Sequence, residues 1–198
     1  MTDACEGRQT APGRDIDRRA VLRFALGAGL ALCASCPASA QTADPRTQRP
    51  QPDDRFVRAG GERGAVVLDD VRAGRPPLMV YPVDPASGVV RDGSRLNQVL
   101  LVRLAPEELD EPSRARSADG VVAYSGVCTH AGCDVTLWQA EIRRFRCPCH
   151  ESEFDPRDHG RVVGGPAPRR LPQLPVKLVE GVIVASGGFT SRPGFQPG

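Results

Sequence analysis

Cys128-Thr129-His130-Ala131-Gly132-Cys133 and Cys147-Pro148-Cys149-His150-Glu151-Ser152 are separated by the 13 residues from Asp134 to Arg146. Four of the seven cysteines in this 198-residue chain, and two of its three histidines, fall in these two stretches. So dense a group of thiol and imidazole donors marks a site. Six candidate ligands stand on two short loops, and four suffice for one metal centre. Cys-x-His in the first loop and Cys-x-x-His in the second give a symmetric set of two sulfurs and two nitrogens: Cys128, His130, Cys147 and His150. Cys133 and Cys149 are then spare and can bridge the loops. A Cys147–Cys149 bridge across Pro148 would strain the disulfide geometry. A Cys133–Cys149 bridge closes about 15 residues and is worth about 3 kcal/mol in the chain-entropy model.

Around the loops the chain is cut into short apolar runs punctuated by Gly and Pro. Ala65-Val66-Val67-Leu68, Leu78 to Val83, Gln98 to Leu104 and Gly120 to Tyr124 precede them; Arg161-Val162-Val163, Leu174 to Val179 and Val182 to Ala185 follow. Their length, β-branching and boundaries predict strands, the last two joined by a Glu180-Gly181 hairpin turn. The expected fold is antiparallel all-β. It forms one domain over about residues 64–190, with the cysteine loops carried as a small subdomain over about 126–169. Ala105-Pro106-Glu107-Glu108-Leu109 predicts a short helix with Glu107 and Glu108 in its favourable first turn, ended by the polar run from Asp110 to Asp119. Residues 41–63 are rich in Pro, Gln, Arg, Asp and Gly without apolar periodicity. They predict a flexible strap that contributes little to the core. Residues 191–198 read as a C-terminal tail.

Further out, Asp17-Arg18-Arg19-Ala20-Val21-Leu22-Arg23 leads into a weakly apolar stretch from Phe24 to Cys36 and then Ala38-Ser39-Ala40. Residues 1–40 therefore read as a twin-arginine signal peptide cut after Ala40. The apolar stretch has 13 residues, about 20 Å as helix against a hydrocarbon core of about 30 Å. A cleaved signal is favoured over a retained anchor, and membrane contact is expected only through an uncleaved signal helix. A net charge of +2 excludes the strongly basic footprint of a nucleic-acid binder. Lys177 is the only lysine, so the basic residues are almost all arginine.

At the two loops the sequence resembles the Rieske iron–sulfur proteins of the disulfide-containing branch. The resemblance rests on Cys128-Thr129-His130-x-Gly132-Cys133, on Cys147-Pro148-Cys149-His150-x-Ser152, and on Gly165-Pro166-Ala167-Pro168, which is similar to that family's proline loop. It is firm from about Gly120 to Phe189. The resemblance implies an antiparallel Rieske-type β-sandwich or barrel and a 2Fe-2S cluster, with Cys128 and Cys147 on one iron and His130 and His150 on the other. It also implies a Cys133–Cys149 disulfide and a covering loop at Gly165, Pro166, Ala167 and Pro168. Replacing two thiolates by neutral imidazoles makes the cluster less negative and raises its potential. Hydrogen bonds donated to cluster sulfurs act in the same direction. Ser152 falls where high-potential relatives place such a hydroxyl. Phe154 stands where they carry a second one, on a tyrosine, so a lower potential is expected. Glu151 departs from the small glycine usual beside the last ligand.

Zinc is the default for two Cys and two His, but structural zinc sites space their cysteines as C-x2-4-C, which this pattern is not. Disulfides alone would explain four cysteines of an exported chain and leave the two histidines unexplained. His159 reads as a solvated loop residue, Trp138 and Phe145 as subdomain packing, and Tyr124 as core. The resemblance implies an electron-transfer subunit of an oxidoreductase complex rather than a stand-alone catalyst. Two readings follow. In the favoured one the chain is similar to the small Rieske subunit of arsenite oxidase-type molybdopterin enzymes. Its partners would be the large molybdopterin catalytic subunit and a cytochrome c or copper-protein acceptor, and its location the periplasm. The alternative is the Rieske subunit of a quinol:cytochrome c reductase, partnered by cytochrome b and c subunits. A zinc-stabilised binding module is a minor alternative.

Overall fold

The computed structural model describes residues 43–61 and 64–197. Eleven strands and one short helix are present among them: β1 (Arg55–Arg58), β2 (Leu78–Val83), β3 (Val99–Arg103), α1 (Glu111–Arg114), β4 (Val121–Ser125), β5 (Leu137–Gln139), β6 (Arg144–Arg146), β7 (Glu153–Asp155), β8 (Arg161–Gly164), β9 (Gln173–Leu174), β10 (Val176–Val179) and β11 (Val182–Ala185). Seven of the strands form one sheet in the order β10-β11-β1-β2-β3-β4-β9. β5-β6-β7-β8 form a second, four-stranded sheet. All pairings within the sheets are antiparallel, as the turn-punctuated apolar runs predict.

β3 and β4 explain how the site is carried. Successive side chains on a strand point to opposite faces. Here Val99, Leu101, Val121 and Ala123 join one buried cluster with Phe56, Val80 and Ile183. Leu100, Val102, Val122 and Tyr124 join another with Phe145, Phe154, Cys128 and Cys147. Both faces are covered, which is why these strands read as continuous apolar runs rather than alternating ones. The four-stranded sheet with its cysteine loops packs on the second face. Tyr124 sits in this second core with no exposed surface. Its ring meets Phe145 edge-on at 5.7 Å, and its hydroxyl donates to Pro156 O at 2.8 Å. Trp138 packs on Phe145 at 5.4 Å between ring centroids.

Several elements differ from the sequence expectation. The strap expected over 41–63 contains β1, which pairs with β2 on one side and β11 on the other. Phe56 and Val57 are buried. Around β1, Arg91 clasps Asp54 through two hydrogen bonds of 2.7 and 3.0 Å, and Asn97 Nδ2 donates to Gln48 O and Arg91 O. Charged and amide side chains tie this stretch in, and apolar periodicity does not register them. The run Ala65 to Leu68 makes only the single bridge Val67–Val182 before the 3-10 turn Leu68–Asp70. The helix expected from Ala105 is only the 3-10 turn Pro106–Glu108. α1 instead lies within the polar run expected to end it, because Asp110 caps the Ser113 N–H at 2.9 Å and Pro112 suits a helix's first turn. The C-terminal tail is also packed, with Pro193 and Gly194 buried. The proposed signal peptide lies outside the described residues. Among those described, no helix is long and apolar enough to cross a membrane.

Candidate metal centre

The two cysteine loops use one backbone device. In the first, after β4, Cys128 N donates to Cys133 O at 2.8 Å and Gly132 N to Cys128 O at 3.1 Å. In the second, between β6 and β7, Cys147 N donates to Ser152 O at 2.9 Å and Glu151 N to Cys147 O at 3.0 Å. The residue before each closing position is left-handed, with φ +77° at Gly132 and +59° at Glu151. Glycine adopts that conformation freely, whereas a residue with a Cβ gives up about 1–2 kcal/mol. The Glu151 carboxylate pairs with Arg146.

These loops bring the predicted donors together. Cys128 and Cys147 are unpaired thiols, each 1% exposed. The His130 and His150 rings lie 4.6 Å apart at 85°, His130 half-buried and His150 exposed. Cys133 and Cys149 form a disulfide with a Cα–Cα distance of 6.6 Å. Its sulfurs lie within 4.8 Å of Cys147 Sγ, so the bridge clamps the loops directly beside a candidate ligand. Gly165 fastens the proline loop to the second cysteine loop. At φ +75° it lies so close that a Cβ would come within 2.5 Å of Ser152 Cα and 2.7 Å of Glu151 O. Pro166 and Pro168 are exposed. His159 is half-buried, its Nδ1 2.9 Å from Gln173 Oε1, and takes part in the scaffold.

The interior of this arrangement has unmet valences. Burial pushes the Cys128 thiol up. The His130 N–H opposes that shift, the Cys147 sulfur adds to it, and the Ser152 hydroxyl weakly opposes it. His130 Nδ1 and Ser152 Oγ are buried without a well-formed hydrogen bond to any described residue, whereas buried polar atoms are ordinarily satisfied. Two buried thiols, an orphaned imidazole nitrogen and an orphaned hydroxyl fit a metal–sulfide centre held by both loops. Phe154 is fully buried in the core that holds both thiols and brings no hydroxyl. Sequence reading alone did not single out Thr129. It is fully buried, and its hydroxyl donates to Arg169 O at 2.7 Å, tying the first loop to the segment after the proline loop. A polar residue between two ligands is the one signal for it in the sequence.

A β scaffold presenting two disulfide-clamped loops with two thiols and two imidazoles defines an iron–sulfur electron-transfer domain. Residues 87–175 match the family model described as the Rieske 2Fe-2S domain. The chain thus carries a Rieske 2Fe-2S domain, whose cofactor is a Rieske-type 2Fe-2S cluster. It is 39% identical over 104 residues to the cytochrome bc1 complex Rieske iron-sulfur subunit of Corynebacterium diphtheriae, covering 50% of this chain and 26% of that one. It is 42% identical over 106 residues to a Haloferax mediterranei protein named as a respiratory nitrate reductase subunit Rieske, covering 52% and 47% respectively. The chain thus spans about a quarter to a half of these relatives. Among solved structures it is similar to the plasma-membrane Rieske protein of Synechocystis PCC 6803, with 25% identity, 60% and 93% coverage and a TM-score of 0.39.

Proposed function

We propose that this chain is the small iron–sulfur subunit of an exported molybdopterin oxidoreductase of the arsenite oxidase kind. It would pass single electrons from the large catalytic subunit to a cytochrome c or copper protein in the periplasm. The observation that carries the electron-transfer reading is the convergence of Cys128, Cys147, His130 and His150 on two clamped loops, with His150 alone of the four exposed. We assign the two cysteines to one iron and the two histidines to the other. A cluster so held supplies a one-electron couple of raised potential. The residues around it exclude water from the sulfurs and fix the imidazole edges outward. The partner protein would then meet the cluster through His150, at the shortest distance. Likeness to a nitrate reductase-named Rieske subunit supports pairing with a catalytic subunit, and the apolar stretch of residues 24–36, too short to span a bilayer, supports export without an anchor. The bc1-named relatives favour the second reading, a quinol:cytochrome c reductase in which His150 would receive the quinol's hydrogen bond.

Purification of the complex through a C-terminally tagged chain, with metal analysis and haem spectra, tests the partner. Molybdenum in stoichiometric amount without haem b supports the first reading; haem b without molybdenum refutes it in favour of the second. Low-temperature electron paramagnetic resonance of the dithionite-reduced protein tests the centre separately. Loss of the mixed His/Cys signal in His150→Ala is expected, and an unchanged signal and potential would refute the ligand assignment.

A further inference from the structure

Twelve arginines among the described residues are paired with carboxylates. Arg49, Arg169 and Arg192 are not, although they are gathered in one place. A cleft of about 490 Å³ has Arg49 and Arg192 in its lining and Pro50, Pro52, Phe189 and Pro193 as apolar walls. Arg49 Nη1 donates to Asn97 Oδ1 at 3.1 Å, so one guanidinium is oriented by the scaffold. Arg169 donates through Nη2 to Gly194 O, one residue beyond the cleft, and its Nη1 is buried with no hydrogen-bond partner among the described residues. Arg192 is exposed. Burial pushes the Arg49 and Arg169 guanidiniums down, and the charge of Arg192 pushes both further. Like charges held together in part-buried positions, without a counter-charge, oppose folding unless an anion compensates them.

The cluster adjoins the metal centre. Arg169 follows Pro168 of the proline loop, and its carbonyl holds the Thr129 hydroxyl of the first cysteine loop. Gly194 lies against Val127, and Phe195, 55% exposed, lies beside Gly132 of that loop. We propose that Arg49, Arg169 and Arg192 form a docking site for the carboxylates of an acidic protein partner, seated beside the first cysteine loop. The apolar walls suit the stems of Glu or Asp side chains, and guanidiniums take carboxylates in paired hydrogen bonds. The site stands on the arginines alone. That the partner exchanges electrons with the centre rests on the proposed function.

The test is calorimetric titration of the cluster-loaded full chain with a hexaglutamate peptide at low ionic strength. Arg192→Gln is the main variant, since its side chain makes no hydrogen bond or ion pair among the described residues. Arg72→Gln, an exposed arginine outside the cleft, controls for net charge. We expect about fivefold weaker peptide binding in Arg192→Gln, from the loss of one guanidinium–carboxylate pair, little change in Arg72→Gln, and a larger loss in Arg192→Glu, with no fall in melting temperature in any of the three. Equal weakening in Arg192→Gln and Arg72→Gln would overturn the site. Anionic phosphatidylglycerol vesicles that bind through Arg192 when the peptide does not would overturn its assignment to a protein. Neither result depends on the electron paramagnetic resonance test of the centre, so the two readings fail separately.

Discussion

Ser152→Ala separates a hydroxyl that serves the cofactor from one that serves the fold, because the two roles predict opposite signs. Among the described residues Ser152 Oγ is fully buried with no well-formed hydrogen bond to the protein. Such a group costs about 1–3 kcal/mol, and alanine removes it at the expense of a few atom contacts. Cluster-free Ser152→Ala should therefore melt no lower than the parent, and at about 2–4 °C per kcal/mol for a chain of this size the gain is a few degrees. In the loaded protein the proposed donor role would give the hydroxyl its acceptor in a cluster sulfur. That bond is stronger in the reduced, more negative state. A difference of about 1.4 kcal/mol between the two states corresponds to about 60 mV for a one-electron couple. Ser152→Ala should lower the potential by about that amount, read by a redox titration followed by electron paramagnetic resonance. An unchanged potential would refute the donor role. A cluster-free variant less stable than the parent would show that the hydroxyl is bonded within the protein and that the orphaned-group reasoning is wrong.

Replacing Cys133 and Cys149 together by serine opens a loop of separation 16; a loss of about 3 kcal/mol, and roughly 6–12 °C in melting temperature, is expected by calorimetry. Phe154→Tyr adds a hydroxyl in the core that contains both proposed ligand cysteines; a rise in potential of tens of millivolts is expected, and a loss of stability with no rise would show that the hydroxyl has no acceptor. Burial pushes the Asp155 carboxyl up, but hydrogen bonds from the Arg157 side chain and N–H, with the charges of Arg157 and Arg144, outweigh it and leave it below its ordinary value. A depressed folded-state pKa gives stability that is present above the unfolded value of about 3.9 and is lost as pH falls through the folded one. Urea unfolding between neutral and strongly acidic pH should show a flatter acid limb in Asp155→Asn, and identical limbs would refute the linkage.

The candidate centre was legible because its chemistry is gathered in two short stretches: two thiols, two imidazoles and a spare cysteine pair at fixed offsets. The strands of the large sheet were legible where they are covered on both faces, as at Leu100 to Val102 and Val121 to Tyr124. What escaped was held by other forces. β1 carries two apolar residues between two arginines, and its place is fixed by the Asp54–Arg91 clasp and by neighbouring strands that only the folded chain supplies. β5, β6 and β7 are three residues each, too short to show a period, and they exist because Trp138, Phe145 and Phe154 pack on the outer face of β3 and β4. The arginine cluster joins residues 49, 169 and 192, which no local window connects.

The division of β3 and β4 between two cores also sets the candidate centre on one face of the main sheet. Cys128 and Cys147 are members of the second core, with Tyr124, Phe145 and Phe154, while the first core is built from Phe56, Val80, Val99 and Ile183 without any ligand. The two proposed cysteine ligands are thus positioned by the packing of aromatic side chains on one face of the sheet, while the other face builds a second core. The loops repeat one hydrogen-bonded device, so the two cysteines arrive at equivalent positions and the two histidines face each other. The loops place the histidine and the bridging cysteine at different positions, and glutamate takes the left-handed position that glycine holds in the first loop. Backbone hydrogen bonds on either side hold that residue against its preference, and its carboxylate, paired with Arg146, stands next to the one exposed imidazole. Strain tolerated beside a functional group, in a loop otherwise over-determined by a disulfide and a proline cover, marks Glu151 as the place where this centre departs in charge and shape from its own twin loop.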